Sequence, residues 1–522
     1  MFDLLIKNGR IIDGTGSPSY FADVAIKDGK IKKVKKGIKG DSKQILDAQG
    51  LVVTPGFIDS HAHNDSAIFT FPDQREKIEQ GITTSIAGQC GSSHAPFGCN
   101  VPQEKIKMID GVGREDEVYR TMGSFIRHAK DKPQGSNIAM LVGQCSLRRA
   151  VMGVENRKPT ADELEKMKAL LREGIEAGAL GLSLGLIYTP GCYADTDECI
   201  ELAKVAGEYN AVVAAHIRSE GVTLVRAVKE FITIIRASNG ARGVLSHHKA
   251  AGLEESWGKV SHTIRMLREA NEEGVEIYCD VYPYHASSTG INTSFLPQEF
   301  RAQSVSAQLE QLRDPQKRAE ITEWARKKWQ NDLHWVQLVK SSAYPQYLGM
   351  RMDDIARLEG KDPYDMIYDI LIDSELAVTG VYFSIAEEDV ETVLKYDRAM
   401  ICTDGGVAGK ASVYHPRLKA SFPRAIGRYV REKGVVSLPE MIRKMTAMPA
   451  AVYDLRSKGL IWDGFDADLC IFDPDKLIDR SEFTDCQKRA EGLNYVLVAG
   501  EVVVENAVHN GKRNGKLILR EE

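Results

Sequence analysis

Over the first 55 or so residues, apolar positions come in short runs broken by turn-forming dipeptides. The run at 4–7 is followed by Asn8-Gly9, and Ala25-Ile26-Lys27 by Asp28-Gly29. Asn and Asp tolerate positive φ and Gly adopts it freely, so both dipeptides predict tight turns between short strands. The same texture returns at the far end. Asp468-Leu469-Cys470-Ile471-Phe472 and Tyr495-Val496-Leu497-Val498 are apolar runs, and Ala499-Gly500-Glu501 supplies a turn before Val502-Val503-Val504. Two strand-rich ends, 1–55 and 445–522, predict one small β domain assembled from both termini.

Between them the rhythm changes. Short apolar runs at 138–142, 181–183, 212–215, 244–246, 277–281 and 400–402 alternate with longer segments of helical periodicity. In 160–177, Asp162 and Glu163 sit near the start, and Leu164, Met167, Leu170 and Leu171 recur at helical spacing. About eight such βα units fit between residues 56 and 444, which predicts a (β/α)8 barrel of the TIM type within the α/β class. Residues 285–345, richer in Gln, Arg and Trp, break the rhythm and are expected to be an insertion at the barrel rim.

Length and charge narrow the function. A chain of 522 residues fits one large domain plus a smaller one. Sixty-eight Lys and Arg against 73 Asp and Glu give a net charge of -5, which argues against a nucleic-acid footprint. Nine cysteines at scattered spacings do not form a disulfide framework and are expected to be reduced thiols. The first residues lack a signal-peptide pattern, and no window carries the roughly 18 apolar residues of a membrane span. The expectation is a cytoplasmic protein that acts on a small molecule, with a homo-oligomer left open.

The sharpest chemical feature is Gly56-Phe57-Ile58-Asp59-Ser60-His61-Ala62-His63. Residues i and i+2 of a strand share a face, so His61 and His63 can converge where an apolar run ends. Imidazole suits zinc, nickel or iron. Other polar groups stand at further strand ends: Cys90 after the run 83–87, His216 after 212–215, His247 after 244–246 and Asp404 after 400–403. In a barrel these ends gather at the C-terminal mouth, where barrel active sites sit. A thiolate can ligate zinc. A carboxylate beside a metal can take a proton from water and deliver it to a leaving nitrogen. His248, next to His247, must face the other way and is assigned a structural or supporting place.

These segments resemble the amidohydrolase superfamily, from Asn8-Gly9-Arg10 and Asp28-Gly29-Lys30-Ile31 to Pro55-Gly56-Phe57-Ile58-Asp59-Ser60-His61-Ala62-His63. Gly88-Gln89-Cys90-Gly91, residues 181–188, His216-Ile217-Arg218, Ser246-His247-His248-Lys249 and Asp280-Val281-Tyr282-Pro283-Tyr284 resemble its N-acyl-D-amino-acid deacylases, the D-aminoacylases, as do His415-Pro416-Arg417 and Phe422-Pro423-Arg424. The resemblance spans residues 3 to 510. It implies a distorted barrel capped by a β-sandwich built from both ends. It implies a tightly held zinc on Cys90, His216 and His247, with a weaker second site including His61 and His63. Asp404 would be the general base and acid, and Tyr282 would polarise the scissile carbonyl. Tyr188, Lys249, Ser288 and Arg417 would bind the N-acyl amino acid substrate. Relatives acting on acidic side chains carry an arginine after the Tyr-Pro-Tyr motif. Residues 286–293 hold no cation here, so a neutral or hydrophobic side chain is expected. The alternatives are a cyclic-amide hydrolase of the hydantoinase or dihydroorotase kind, whose carboxylated lysine is replaced here by Cys90, and a non-catalytic metal-binding barrel.

Overall fold

Strands open the chain, and the turn chemistry decides how they fold back. The computed structural model describes residues 1–97, 119–330, 332–409 and 411–520. The first strands are β1 (Phe2–Ile11), β2 (Tyr20–Lys27), β3 (Lys30–Lys35), β4 (Ser42–Asp47) and β5 (Val52–Pro55). Asp28 and Gly29, at φ 52° and 71°, make the tight turn between β2 and β3. Asn8-Gly9 does not turn the chain. Strand β1 runs through it, Asn8 takes φ 59°, and the register against β2 shifts between Ile6 and Gly9. The positive φ serves a β-bulge instead, an extra residue that the ladder absorbs by bending.

Eight staves follow. They are β6 (Phe57–Asp59), β7 (Ile82–Ala87), β8 (Asn137–Met140) continued past Leu141 by β9 (Val142–Gly143), β10 (Gly181–Gly185), β11 (Val212–His216), β12 (Arg242–Leu245) and β13 (Ile277–Val281), completed further along the chain. Before the last stave comes a lobe with its own antiparallel sheet, β14 (Ser287–Gly290), β15 (Val336–Lys340) and β16 (Thr379–Tyr382). The lobe buries a separate core that includes Phe295, Leu338, Tyr364 and Tyr382. Residues 285–345 lie largely within it. Then β17 (Ala399–Ile401) pairs with β13.

Every neighbouring pair of staves is parallel. The ring closes just past β6 and β17, where Ala62 and Gly405 form a parallel bridge, Asp404 N donates to His61 O at 2.9 Å and His63 N to Gly405 O at 3.0 Å. Strands such as β7, β11 and β17 are buried along their whole length, which is why they read as apolar runs rather than alternations. Helices return the chain outside. The one at Ala161–Glu176 starts at a capping box, with Thr160 accepting from Glu163 N while the Glu163 side chain reaches back.

The C-terminal strands β18 (Leu469–Phe472), β19 (Leu493–Val498), β20 (Glu501–Glu505) and β21 (Val508–His509) rejoin the first ones. Their order, β21-β20-β19-β18-β5-β1-β2-β3 with β4 on β1, is one continuous nine-stranded sheet drawn from both ends of the chain. Ala499 and Gly500, at φ 49° and 79°, turn β19 into β20. The last strand, β22 (Leu517–Ile518), leaves that sheet and pairs in parallel with β8 of the barrel. Among the described residues no helix is long and apolar enough to cross a membrane.

Candidate metal and catalytic centre

The polar residues that end the staves meet at the C-terminal mouth. Their backbones are bent to do so: Cys90, His247 and Asp404 have φ of 52°, 35° and 45°. Side chains rarely hold this region, and where they do the surrounding packing has to enforce it. Around Cys90 the enforcement is visible. Gly88 and Gly91 have φ of 77° and 76°, and added Cβ atoms would lie 2.2 Å from Leu141 O and 2.6 Å from Gly185 N. Only glycine lets the turn seat its thiol against the neighbouring staves.

Cys90 Sγ is the hub. It lies 3.3 Å from His61 Nε2, 3.3 Å from His247 Nε2 and 3.5 Å from His216 Nδ1. The ligand atoms of His61, Cys90, His247 and Asp404 all fall within 4.8 Å of one another. His63 stands apart from the thiol, a third exposed, with Nε2 3.1 Å from Asp404 Oδ1. His61 Nε2 is 3.6 Å from that same oxygen. His248 faces away and meets Thr263 Oγ1 at 2.9 Å.

The electrostatics fit a cation. Burial, then the charges of Asp404 and Glu220, push the Cys90 thiol well above its ordinary value. It becomes a thiolate ligand only with a positive ion against it. Burial lowers His216 and His247, so both are the neutral imidazoles that ligate metals. One sulfur, imidazole nitrogens and a carboxylate form a donor set that suits zinc. Burial alone would raise the Asp404 carboxyl, but Arg417, followed by His247, His63 and His61, holds it well below the usual carboxylate range.

The other sequence-expected residues ring this cluster. Arg417 Nη1 lies 2.8 Å from Asp404 Oδ2, and its Nη2 donates to Ser288 O at 3.2 Å. Ser288 Oγ donates to Gly380 O at 2.9 Å. The Tyr282 ring lies between two cations, Arg417 at 4.7 Å and Lys249 at 5.4 Å from its centroid. Its buried hydroxyl has no hydrogen-bond partner among the described residues, and burial keeps the phenol protonated. Tyr188 meets the His216 ring edge-on at 4.9 Å. Lys249 does not face open space: its Nζ lies 2.6 Å from Glu220 Oε1 and donates to His247 O at 2.9 Å.

Residues 44–504 match the family model described as "Amidohydrolase family". The chain belongs to the amidohydrolase family. This amidohydrolase is 31% identical over 520 residues to a D-aminoacylase of Alcaligenes xylosoxydans xylosoxydans, covering 99% of this chain and 98% of that one. It is equally 31% identical over 520 residues to an N-acyl-D-glutamate deacylase of the same organism, covering 99% and 97%. A crystal structure of N-acyl-D-glutamate deacylase from Bordetella bronchiseptica, complexed with zinc and a phosphonate mimic of the tetrahedral intermediate, superposes with a TM-score of 0.84 at 31% identity over 99% of each chain.

Two carboxylates of the amidohydrolase site escape the sequence reading. Glu220 Oε1 lies 2.9 Å from His247 Nδ1, and Glu220 Oε2 lies 3.7 Å from His216 Nε2. It therefore backs the His247 imidazole on the side away from Cys90 and lies near that of His216 without a hydrogen bond. Asp280 lies 3.7 Å from His61 Nδ1, outside hydrogen-bond distance, and accepts from the backbone of His247. Carboxylates behind ligating histidines fix ring orientation and raise basicity. Burial would raise Glu220, but Lys249 and then the two histidines hold it far below the usual range. A cavity of about 460 Å3 between the barrel mouth and the lobe is lined by residues that include Leu186, Glu220, Thr289, Arg301, Lys328 and Trp329.

Proposed function

We propose that this amidohydrolase hydrolyses the linear amide bond of N-acyl-D-amino acids, releasing a carboxylate and a free D-amino acid. The observation that carries this reading is the thiol–imidazole cluster around Cys90 with Asp404 at its edge. The full-length likeness to the D-aminoacylase supports the choice of linear N-acyl amino acids over cyclic amides.

Cys90, His216 and His247 would hold zinc, and His61 with His63 a second, weaker ion. Zinc supplies Lewis-acid polarisation of the amide carbonyl and brings the pKa of a water near neutrality. The Asp404 carboxylate, kept ionised by Arg417, takes the proton of the attacking water. The same group then protonates the amide nitrogen as the C–N bond breaks. Tyr282, a neutral phenol whose hydroxyl has no hydrogen-bond partner among the described residues, donates to the carbonyl oxygen where negative charge develops. Tyr188, Ser288 and Arg417 lie around the carboxylate end of the substrate. Lys249, tied to Glu220, acts on the site through that ion pair.

The test is release of amino acid from N-acetyl-D-methionine and N-acetyl-L-methionine by zinc-loaded protein. Cleavage of the D-substrate alone supports the reading. Equal cleavage of both, or activity confined to hydantoins and dihydropyrimidines, overturns it.

A further inference from the structure

Beyond the metal cluster, two cations without an ion pair among the described residues line the cavity, Arg301 and Lys328. Arg301 closes the short helix Gln298–Arg301, and Lys328 lies on the helix Pro315–Trp329 of the lobe. The Arg301 Nη1 donates to Ile187 O at 3.1 Å, while its buried Nε has no hydrogen-bond partner among the described residues. Lys328 Nζ lies over the rings of Trp329 and Trp324, 4.4 and 5.0 Å from their centroids. Neither cation has a carboxylate within ion-pair distance among the described residues. The other arginine on the same cavity wall is committed: Arg218 binds Glu230 at 3.0 Å.

Arg301 is half-buried, and holding a partly desolvated guanidinium and the exposed Lys328 on one cavity wall without a carboxylate between them is costly. Lys328 itself is exposed, its ammonium held over the two tryptophan rings at the cavity wall. A cavity wall that keeps such a pair unpaired is shaped for an incoming anion. The flanking Trp329, Trp335 and Tyr382 offer apolar surface for the carbon chain leading to it.

We infer that Arg301 and Lys328 form an anion subsite that binds a carboxylate carried by the substrate away from its scissile amide. The inference rests on the deacylase reading and adds the substrate class. The cation-free segment 286–293 does not supply this charge; the lobe helices bring it in instead. The carboxylate has two chemical sources, an acidic amino-acid side chain or a dicarboxylic acyl group.

The experiment compares kcat/KM for two matched pairs on zinc-loaded enzyme: N-acetyl-D-glutamate against N-acetyl-D-glutamine, and N-succinyl-D-methionine against N-butanoyl-D-methionine. Calorimetric binding of the same four compounds to zinc-loaded Asp404→Asn protein accompanies it. The acidic member of one pair should be favoured on the order of tenfold to a hundredfold, the usual span for a charged hydrogen-bonding partner. Which pair responds identifies the source. Arg301→Met and Lys328→Met should each pull that ratio toward one, while Arg301→Lys keeps part of it. Neutral members equal or better in both pairs, in rate and in binding, would overturn the subsite and leave the deacylase reading standing. Acidic preference in binding without turnover of any compound would support the subsite and sink the deacylase reading.

Discussion

Glu220 Oε1 sits 2.9 Å from His247 Nδ1, on the opposite side of the ring from Cys90. One carboxylate thereby orients an imidazole and balances the buried Lys249. Glu220→Gln should weaken zinc binding by about ten- to a hundredfold, the usual effect of losing a carboxylate behind a ligating histidine. Competition with a chromophoric chelator measures it; unchanged affinity would contradict the arrangement.

Asp404 should be separable from metal retention. Asp404→Asn should cut kcat by about a hundredfold to ten-thousandfold, as expected for a lost general base, while the protein keeps its zinc. Metal content by atomic absorption alongside steady-state rates decides it, and wild-type turnover in the variant would remove Asp404 from the mechanism.

The pairing of Arg417 with Asp404 makes a pH prediction. Burial favours the protonated carboxyl, and the guanidinium is the largest charge opposing it. In Arg417→Met the carboxyl's pKa therefore rises, and the base form disappears at a higher pH as acid is added. The acid limb of kcat/KM should move upward in pH relative to wild type. A limb that stays in place would mean that Arg417 does not set the charge state of Asp404.

Barrel closure depends on a buried charge. Lys77 Nζ donates to Asp59 Oδ2 at 2.8 Å, Thr403 Oγ1 at 2.6 Å and Gly405 O at 2.6 Å, with Lys77 and Asp59 side chains fully buried. Lys77→Met would strand Asp59 and should cost about 3–5 kcal/mol. The midpoint of denaturant unfolding reports it, and a midpoint equal to wild type would show the network to be dispensable.

Much of this site was legible because it lies at strand ends. Apolar runs buried on both faces stand out in sequence, and a His, Cys or Asp ending several of them is hard to produce by chance. Glu220 lacked that signal, since it lies four residues past its strand in a loop, where acidic residues are common. Arg301 was hidden for another reason: its contact with Ile187 joins positions 114 residues apart, which no local pattern encodes. Asn8-Gly9 misled because the same positive φ serves a hairpin turn or a bulge, and only pairing with β2 chooses between them.

The sheet shared by the two ends of the chain sets the order in which the protein can be finished on the ribosome. Thr54 and Cys470, hydrogen-bonded across β5 and β18, are 416 residues apart. During synthesis the first strands must wait, with β5 lacking one edge partner, until nearly the whole barrel has emerged. The edge of β8 waits longer still, for Leu517 and Ile518. The fold is thus complete only once residue 518 has emerged, and a chain cut before Leu517 would leave a barrel strand edge open to pairing with other chains.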